Sequence, residues 1–234
     1  MDYMLLIVNP KDPAAGAELV GMAEMGRFAA EMRASGKMRS GAPLLGEETA
    51  TRISLRGGNV RSVDGPFAET KEVVGGYCMV DAGSRAEAIE IAKRCPAVRS
   101  GVVQVNEAFA ERIPSPPTGG TRFLLLFVEG PDFDGDPDGA KYRAMTEWTD
   151  ALKREAKYVE CAGLAKHPPA ARVETRKGRT SVSDGPFAES KEVIGGYALV
   201  DVASRAEALA VARRCPHATW GEVEVRPVMK VGPI

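Results

Sequence analysis

The fourteen residues DGPFAETKEVVGGY beginning at Asp64 return as DGPFAESKEVIGGY beginning at Asp184. The same offset of 120 aligns YMLLIVN at Tyr3 with FLLLFVE at Phe123, and SRAEAIEIAKRCP at Ser84 with SRAEALAVARRCP at Ser204. A chain built this way is one supersecondary unit made twice in tandem. The division is residues 1–110, a linker over 111–120, and residues 121–234. ERIPSPPTGG, from Glu111 to Gly120, has the proline and glycine content of a linker.

Each copy reads as the same series of elements. Tyr3–Asn9 and Phe123–Glu129 are apolar runs of buried-strand length. Helices are expected over Glu18–Ser35 and Gly139–Tyr158, the first with Leu19, Met22, Met25 and Phe28 at three-residue spacing. Two short strands, Thr51–Arg56 and Val60–Val63, flank a Gly-Gly-Asn turn. A strand follows through GGYCMVDA and GGYALVDV. Ser84 with Glu87, and Ser204 with Glu207, form capping boxes that open a second helix, which stops at Cys95-Pro96 and Cys215-Pro216. In the last strand Val103 and Val105 alternate with Gln104 and Asn106, and Val223 and Val225 with Glu222 and Glu224. The β-α-β…β-α-β order is that of a ferredoxin-like α+β unit with an extra hairpin. One unit leaves a sheet face open, so the two are expected to pack together as an intrachain pseudo-dimer, with a further homodimer left open.

The copies have diverged unevenly. Between Asp64–Pro96 and Asp184–Pro216, 23 of 33 positions are identical, against 4 of 15 in the preceding hairpin and 3 of 11 in the last strand region. A local constraint on the middle block is the reading preferred over gene conversion between the copies or chance.

Composition excludes several classes. At 44% hydrophobic and 27% charged the chain is an ordinary globular one, and a net charge of -1 with a pI near 6.2 supplies no field for nucleic acid or anionic lipid. The run Tyr3–Val8 is too short for a membrane span. Cys78, Cys95, Cys161 and Cys215 lack C-x-x-C spacing and read as free, buried thiols of a reducing cytosol. His167 is expected in a loop, and His217, just past a helix end, against that helix's last carbonyls. With only these two histidines no metal site is indicated, and no cofactor loop is present: Gly75-Gly76 and Gly195-Gly196 suggest a bulge or a close backbone approach, not a phosphate cradle.

The repeated phrase holds the candidate site. Asp-Gly-Pro is turn vocabulary, but Pro66 and Pro186 have no N–H to complete an Asx-turn, which leaves carboxylate capacity at Asp64 and Asp184. These are the candidate acid/base residues. Phe67, Glu69 and Lys71, and Phe187, Glu189 and Lys191, surround them in sequence. Arg52 and Arg172, matched within the diverged hairpin, have the fork to grip a carboxylate. Each has a structural reading beside it: a turn for the aspartates, a core plug for the phenylalanines, solvated strand charges for the rest.

DGPFAETKE followed by GGY resembles the YCII-related family, in its DGPF-domain branch, over nearly the whole chain. The resemblance implies a ferredoxin-like dimeric α/β barrel, here fused into one polypeptide. Members of that family are mostly uncharacterised; some DGPF proteins are encoded near extracytoplasmic-function sigma factors, and a relative in the wider superfamily is a dehydrochlorinase. The implied acid/base residue, an aspartate paired with a first-helix histidine, falls on Asp64 and Asp184; Met22–Ser35 and Met145–Tyr158 hold no histidine. Two readings stand. One is a cofactor-independent enzyme using the aspartate, its pKa raised by burial, on a small aromatic or carboxylated substrate. The other is a small-ligand or protein-binding module, with a regulatory partner linked to a sigma factor among its forms, which would be marked by an exposed aspartate together with a large apolar surface patch.

Overall fold

The computed structural model describes residues 1–11, 20–67, 71–110, 119–130, 133, 135–185, 187 and 193–230. The first copy runs β1 (Asp2–Pro10), α1 (Met22–Ala34), β2 (Met38–Pro43), a 3-10 turn (Glu47–Thr49), β3 (Thr51–Arg56), β4 (Asn59–Asp64), β5 (Glu72–Asp81), α2 (Arg85–Arg94) and β6 (Val102–Ala110). The second runs β7 (Thr121–Glu129), α3 (Ala140–Arg154), β8 (Tyr158–Leu164), β9 (Ala171–Arg176), β10 (Arg179–Asp184), β11 (Val193–Val202), α4 (Arg205–Arg213) and β12 (Glu222–Pro227). The mixed α+β composition with an antiparallel sheet agrees with the pattern read from the sequence.

Local rules account for much of this. Ser84 accepts the Glu87 N–H at 3.2 Å while the Glu87 carboxylate takes the Gly83 N–H at 2.7 Å, and Ser204 and Glu207 do the same around Ala203 at 3.2 and 2.8 Å. Gly75 and Gly195 are bulged out of the β1–β5 and β7–β11 ladders. A Cβ at either position would lie within about 2.3 Å of the Asn9 amide or the Glu129 carboxylate, so the close approach is to a side chain of the neighbouring strand. Two strands differ from expectation. β2 was not anticipated, because MRSGAP shows no alternation. β8 is likewise absent from the expected series: it begins at Tyr158, the last residue of the expected second-copy helix, which stops at Arg154, with Ala156 at φ 54.

The strands follow the order β2-β5-β1-β6-β8-β11-β7-β12-β3-β4, with β9 and β10 attached to β6. Leu44, just past β2, bridges Val228, just past β12, and Leu45 and Met229 donate to Pro227 and Pro43, each at 3.0 Å. The path from β2 to β12 therefore returns on itself. The hairpins are exchanged: β3 of the first copy pairs with β12 of the second, Ile53 opposite Val223, and β9 of the second pairs with β6 of the first, Val173 opposite Val103.

Three cores result. Phe28, Met32 and Ile91 of the first-copy helices pack on Tyr3, Leu5 and Val103, and receive Val173 from the second copy. Trp148, Leu152 and Val211 pack on Phe123, Leu125 and Val223, and receive Ile53 from the first. Between the copies, Met4, Leu6, Tyr77 and Met79 meet Leu124, Leu126, Tyr197 and Leu199. Burying one such side chain contributes roughly 1.5–3 kcal/mol before entropic costs, so the exchanged Ile53 and Val173 tie each copy to the core of the other. At the same interface Ser40 and Glu160, equivalent positions 120 apart, meet at 2.7 Å, and Tyr197 donates to the same carboxylate.

Candidate functional site

Asp64 ends β4 and Asp184 ends β10, each at the lip of a hairpin that lies on the other copy. The Gly65 and Gly185 N–H groups that follow donate to Ala50 and Ala170 at 3.0 Å, so the turn is closed by backbone. The aspartate side chains are engaged elsewhere. Thr51 donates to Asp64 Oδ1 at 2.7 Å, and Arg205, in the first turn of α4, donates to the same oxygen at 2.9 Å. Arg85, in the first turn of α2, donates to Asp184 Oδ1 and to the Pro169 carbonyl. The arginine contacts join the hairpin of one copy to the helix of the other, whereas the Thr51 bond stays within its own hairpin. Asp64 is 70% exposed and Asp184 62%. The Thr51 hydroxyl, and after it Arg205, hold the Asp64 carboxyl below the usual carboxylate range.

Arg52 and Arg172 lie on the hairpin strands behind these aspartates. The Arg52 guanidinium sits 4.2 Å from the Phe67 ring centre, bonds Glu224 at 2.9 Å and reaches Glu222 at 3.5 Å. Glu224 also binds Arg226, at 3.1 Å; Arg226 is 1% exposed and donates to the Leu45 carbonyl. The Arg172 guanidinium lies 4.5 Å from the Phe187 ring centre and holds Glu72 at 2.8 and 3.3 Å. Phe67 is buried and Phe187 half-buried. Lys11 donates to the Phe67 carbonyl and pairs with the buried Glu47 at 2.7 Å.

The structure thus gathers Asp64, Arg52 and Phe67 at one exchanged hairpin and Asp184, Arg172 and Phe187 at the other. Lys71 is exposed, its carbonyl accepting from Lys11 N at 3.0 Å. Glu69, Glu189 and Lys191 lie outside the described residues. Arg85, Arg205, Glu72 and Glu224 escaped the reading of the sequence as site residues. A signal for the two arginines existed: SRAE lies inside the least diverged block, and each copy's arginine pairs with the other copy's aspartate.

His217 differs from its expected helix-end role. Its ring is buried and stacked on Phe127 at 5.2 Å, with Nε2 3.1 Å from the Val128 carbonyl and Nδ1 accepting from Trp220 at 3.0 Å. Nε2 therefore carries the hydrogen, and burial pulls its pKa down to about 4. None of the four cysteines is in a disulfide; Cys78, Cys95 and Cys215 are buried, whereas Cys161, expected to be buried, is half-buried. Among the described residues no helix is long and apolar enough to cross a membrane.

Comparison with known proteins agrees with the duplication. The YCII-related domain matches residues 1–111 and again 121–231. An uncharacterised protein, R00369 of Rhizobium meliloti (strain 1021), is 43% identical over 82 residues, which are 32% of this chain and 66% of that protein's length. With nearly every residue assigned to one of two successive domain matches, this chain belongs to the YCII-related family and carries its domain twice.

Proposed function

We propose that the chain is a small-ligand-binding module, built as two ferredoxin-like repeats fused into an intrachain counterpart of a dimeric α/β barrel, with ligand held at the exchanged DGPF hairpins. Within each copy the order β2-β5-β1-β6 or β8-β11-β7-β12 supports the ferredoxin-like reading. The exposure of both aspartates carries the functional one. A general acid or base working near neutrality needs a carboxyl whose pKa is lifted by burial. Asp64 is exposed, bonded by a hydroxyl and a guanidinium, and shifted the other way. That setting suits a fixed negative charge that orients Arg205 and a bound molecule rather than a proton carrier.

A thermal-shift screen of small carboxylates, phosphates, amides and phenols on the full chain tests this, since a ligand that binds the folded state raises its melting temperature by mass action. Stabilisation that Asp64→Asn or Asp184→Asn weakens, without chemical change of the compound, is expected. Turnover of a screened compound with a rate that follows the ionisation of either aspartate would return the chain to the acid/base reading.

A further inference from the structure

We propose that the two hairpin sites have divided their roles: the Arg172 site of the second copy receives a carboxylate ligand, while the Arg52 site of the first copy is a closed clamp. This rests on the binding role proposed above and adds the copy and the chemical class.

Four differences between equivalent positions point the same way. Arg52 faces Glu222 and Glu224, whereas the positions facing Arg172 are Val102 and Gln104, leaving Glu72 as its carboxylate. Thr51 backs Asp64, whereas Ala171 stands behind Asp184 and supplies no hydroxyl. Phe67 is buried, its carbonyl held by Lys11, whereas Phe187 is half-buried over its guanidinium. A Cβ on Gly65 would lie 2.2 Å from the Glu47 carbonyl oxygen, whereas one on Gly185 finds nothing nearer than the Phe187 ring at 3.1 Å. Gly65 is packed tightly against its own copy's Glu47, and Gly185 has more room.

An orphan donor completes the case. Arg172 Nε is buried and has no hydrogen-bond partner among the described residues. A guanidinium offers five donors in a planar fork, and a buried N–H left without an acceptor is costly. With Glu72 on the two terminal nitrogens, Nε is the donor left for one further anionic oxygen. The Phe187 ring beside it suits a ligand whose carboxylate is carried on an apolar, preferably aromatic, body.

Benzoate is the probe, with benzamide as its neutral counterpart. Titrated into the full chain and followed through the arginine Nε–H resonances, benzoate is expected to shift Arg172 and leave Arg52 in place. Benzamide should bind at least tenfold more weakly. Arg172→Gln should weaken benzoate binding tenfold or more, and Arg172→Lys, which keeps the charge but loses the fork, should do nearly the same. Equal binding of benzoate and benzamide, or benzoate binding that survives both variants, overturns the proposal while leaving a ligand-binding role in place. Resonances at both hairpins that ignore both probes, together with a thermal-shift screen that finds no ligand, overturn that role as well.

Discussion

Arg205 in the first turn of α4 holds the carboxylate of Asp64, 141 residues earlier in the chain, and Arg85 holds Asp184 in the equivalent contact. Both members of both pairs belong to the least diverged block. A substitution in either copy breaks a contact with the other, so the two DGPF phrases and the two SRAE phrases are held together.

These clasps should orient more than they stabilise. The Arg205 and Asp64 side chains are 47% and 70% exposed, and solvent screens such pairs strongly. Asp64→Asn and Arg205→Gln are each expected to shift the melting temperature by less than about 3 °C, and the double variant by no more than their sum. Because the folded pKa of Asp64 lies below its ordinary value, its contribution is present above that ordinary value and is lost as pH falls through the folded one. The difference between Asp64→Asn and the parent chain should therefore vanish in acid. A loss of ten degrees near neutral pH would make the pair a structural brace instead.

His217 should set the acid limit. A histidine held neutral to about pH 4 in the fold, but titrating near 6.5 when unfolded, contributes stability that is full above pH 6.5. That stability is lost as pH falls from about 6.5 to 4, by an amount on the order of 3 kcal/mol at most. Urea melts at pH 7, 5.5 and 4.5 should show the fall, and His217→Gln should flatten it while lowering stability at pH 7. An unchanged slope in the variant would assign the acid sensitivity to other groups.

The two equivalent glycines should respond differently to alanine. At Gly65 the added carbon meets a backbone carbonyl at 2.2 Å, which a side-chain rotation cannot relieve. Gly65→Ala is expected to cost about 1–3 kcal/mol, typical of overpacking. At Gly185 the neighbour is the half-buried Phe187 ring at 3.1 Å, and Gly185→Ala should cost less than about 0.5 kcal/mol. Chemical denaturation of both variants checks this, and equal losses would show that the two loops are packed alike.

Features decided by neighbouring residues were legible in the sequence. The offset of 120, the Ser84 and Ser204 caps and the glycine bulges all follow from local chemistry. β2 was not, because its gly-pro-containing stretch becomes a strand only by pairing with β5, some forty residues on. The alternation in the last strands is legible, but its polar face is only partly solvated: Asn106 and Glu224 are buried, 4% and 6% exposed, while Gln104 and Glu222 are half-buried. Asp64 and Arg52 stood out as single residues. Their partners Arg205 and Glu224 did not, since contacts across 141 and 172 residues leave no mark in local spacing.

The exchange of hairpins makes the sharpest test of the architecture. Ile53 has no exposed surface, belongs to the first copy, and packs among Phe127, Trp148 and Val223 of the second. Val173 does the reverse against Val103 and Ile91. Ile53→Ala should therefore cost about 2–5 kcal/mol, and Val173→Ala, which removes less, should cost a smaller amount in the same direction. Each side chain fills a core whose helices come from the other copy, so the loss should appear in one cooperative transition rather than in the melting of one copy alone. Fluorescence of Trp148, in the second copy, offers a direct reporter: in Ile53→Ala its transition should coincide with the loss of far-ultraviolet circular dichroism. Two separated transitions, with Trp148 following only substitutions made after residue 120, would mean that the copies fold independently and that the exchanged strands do not hold them together.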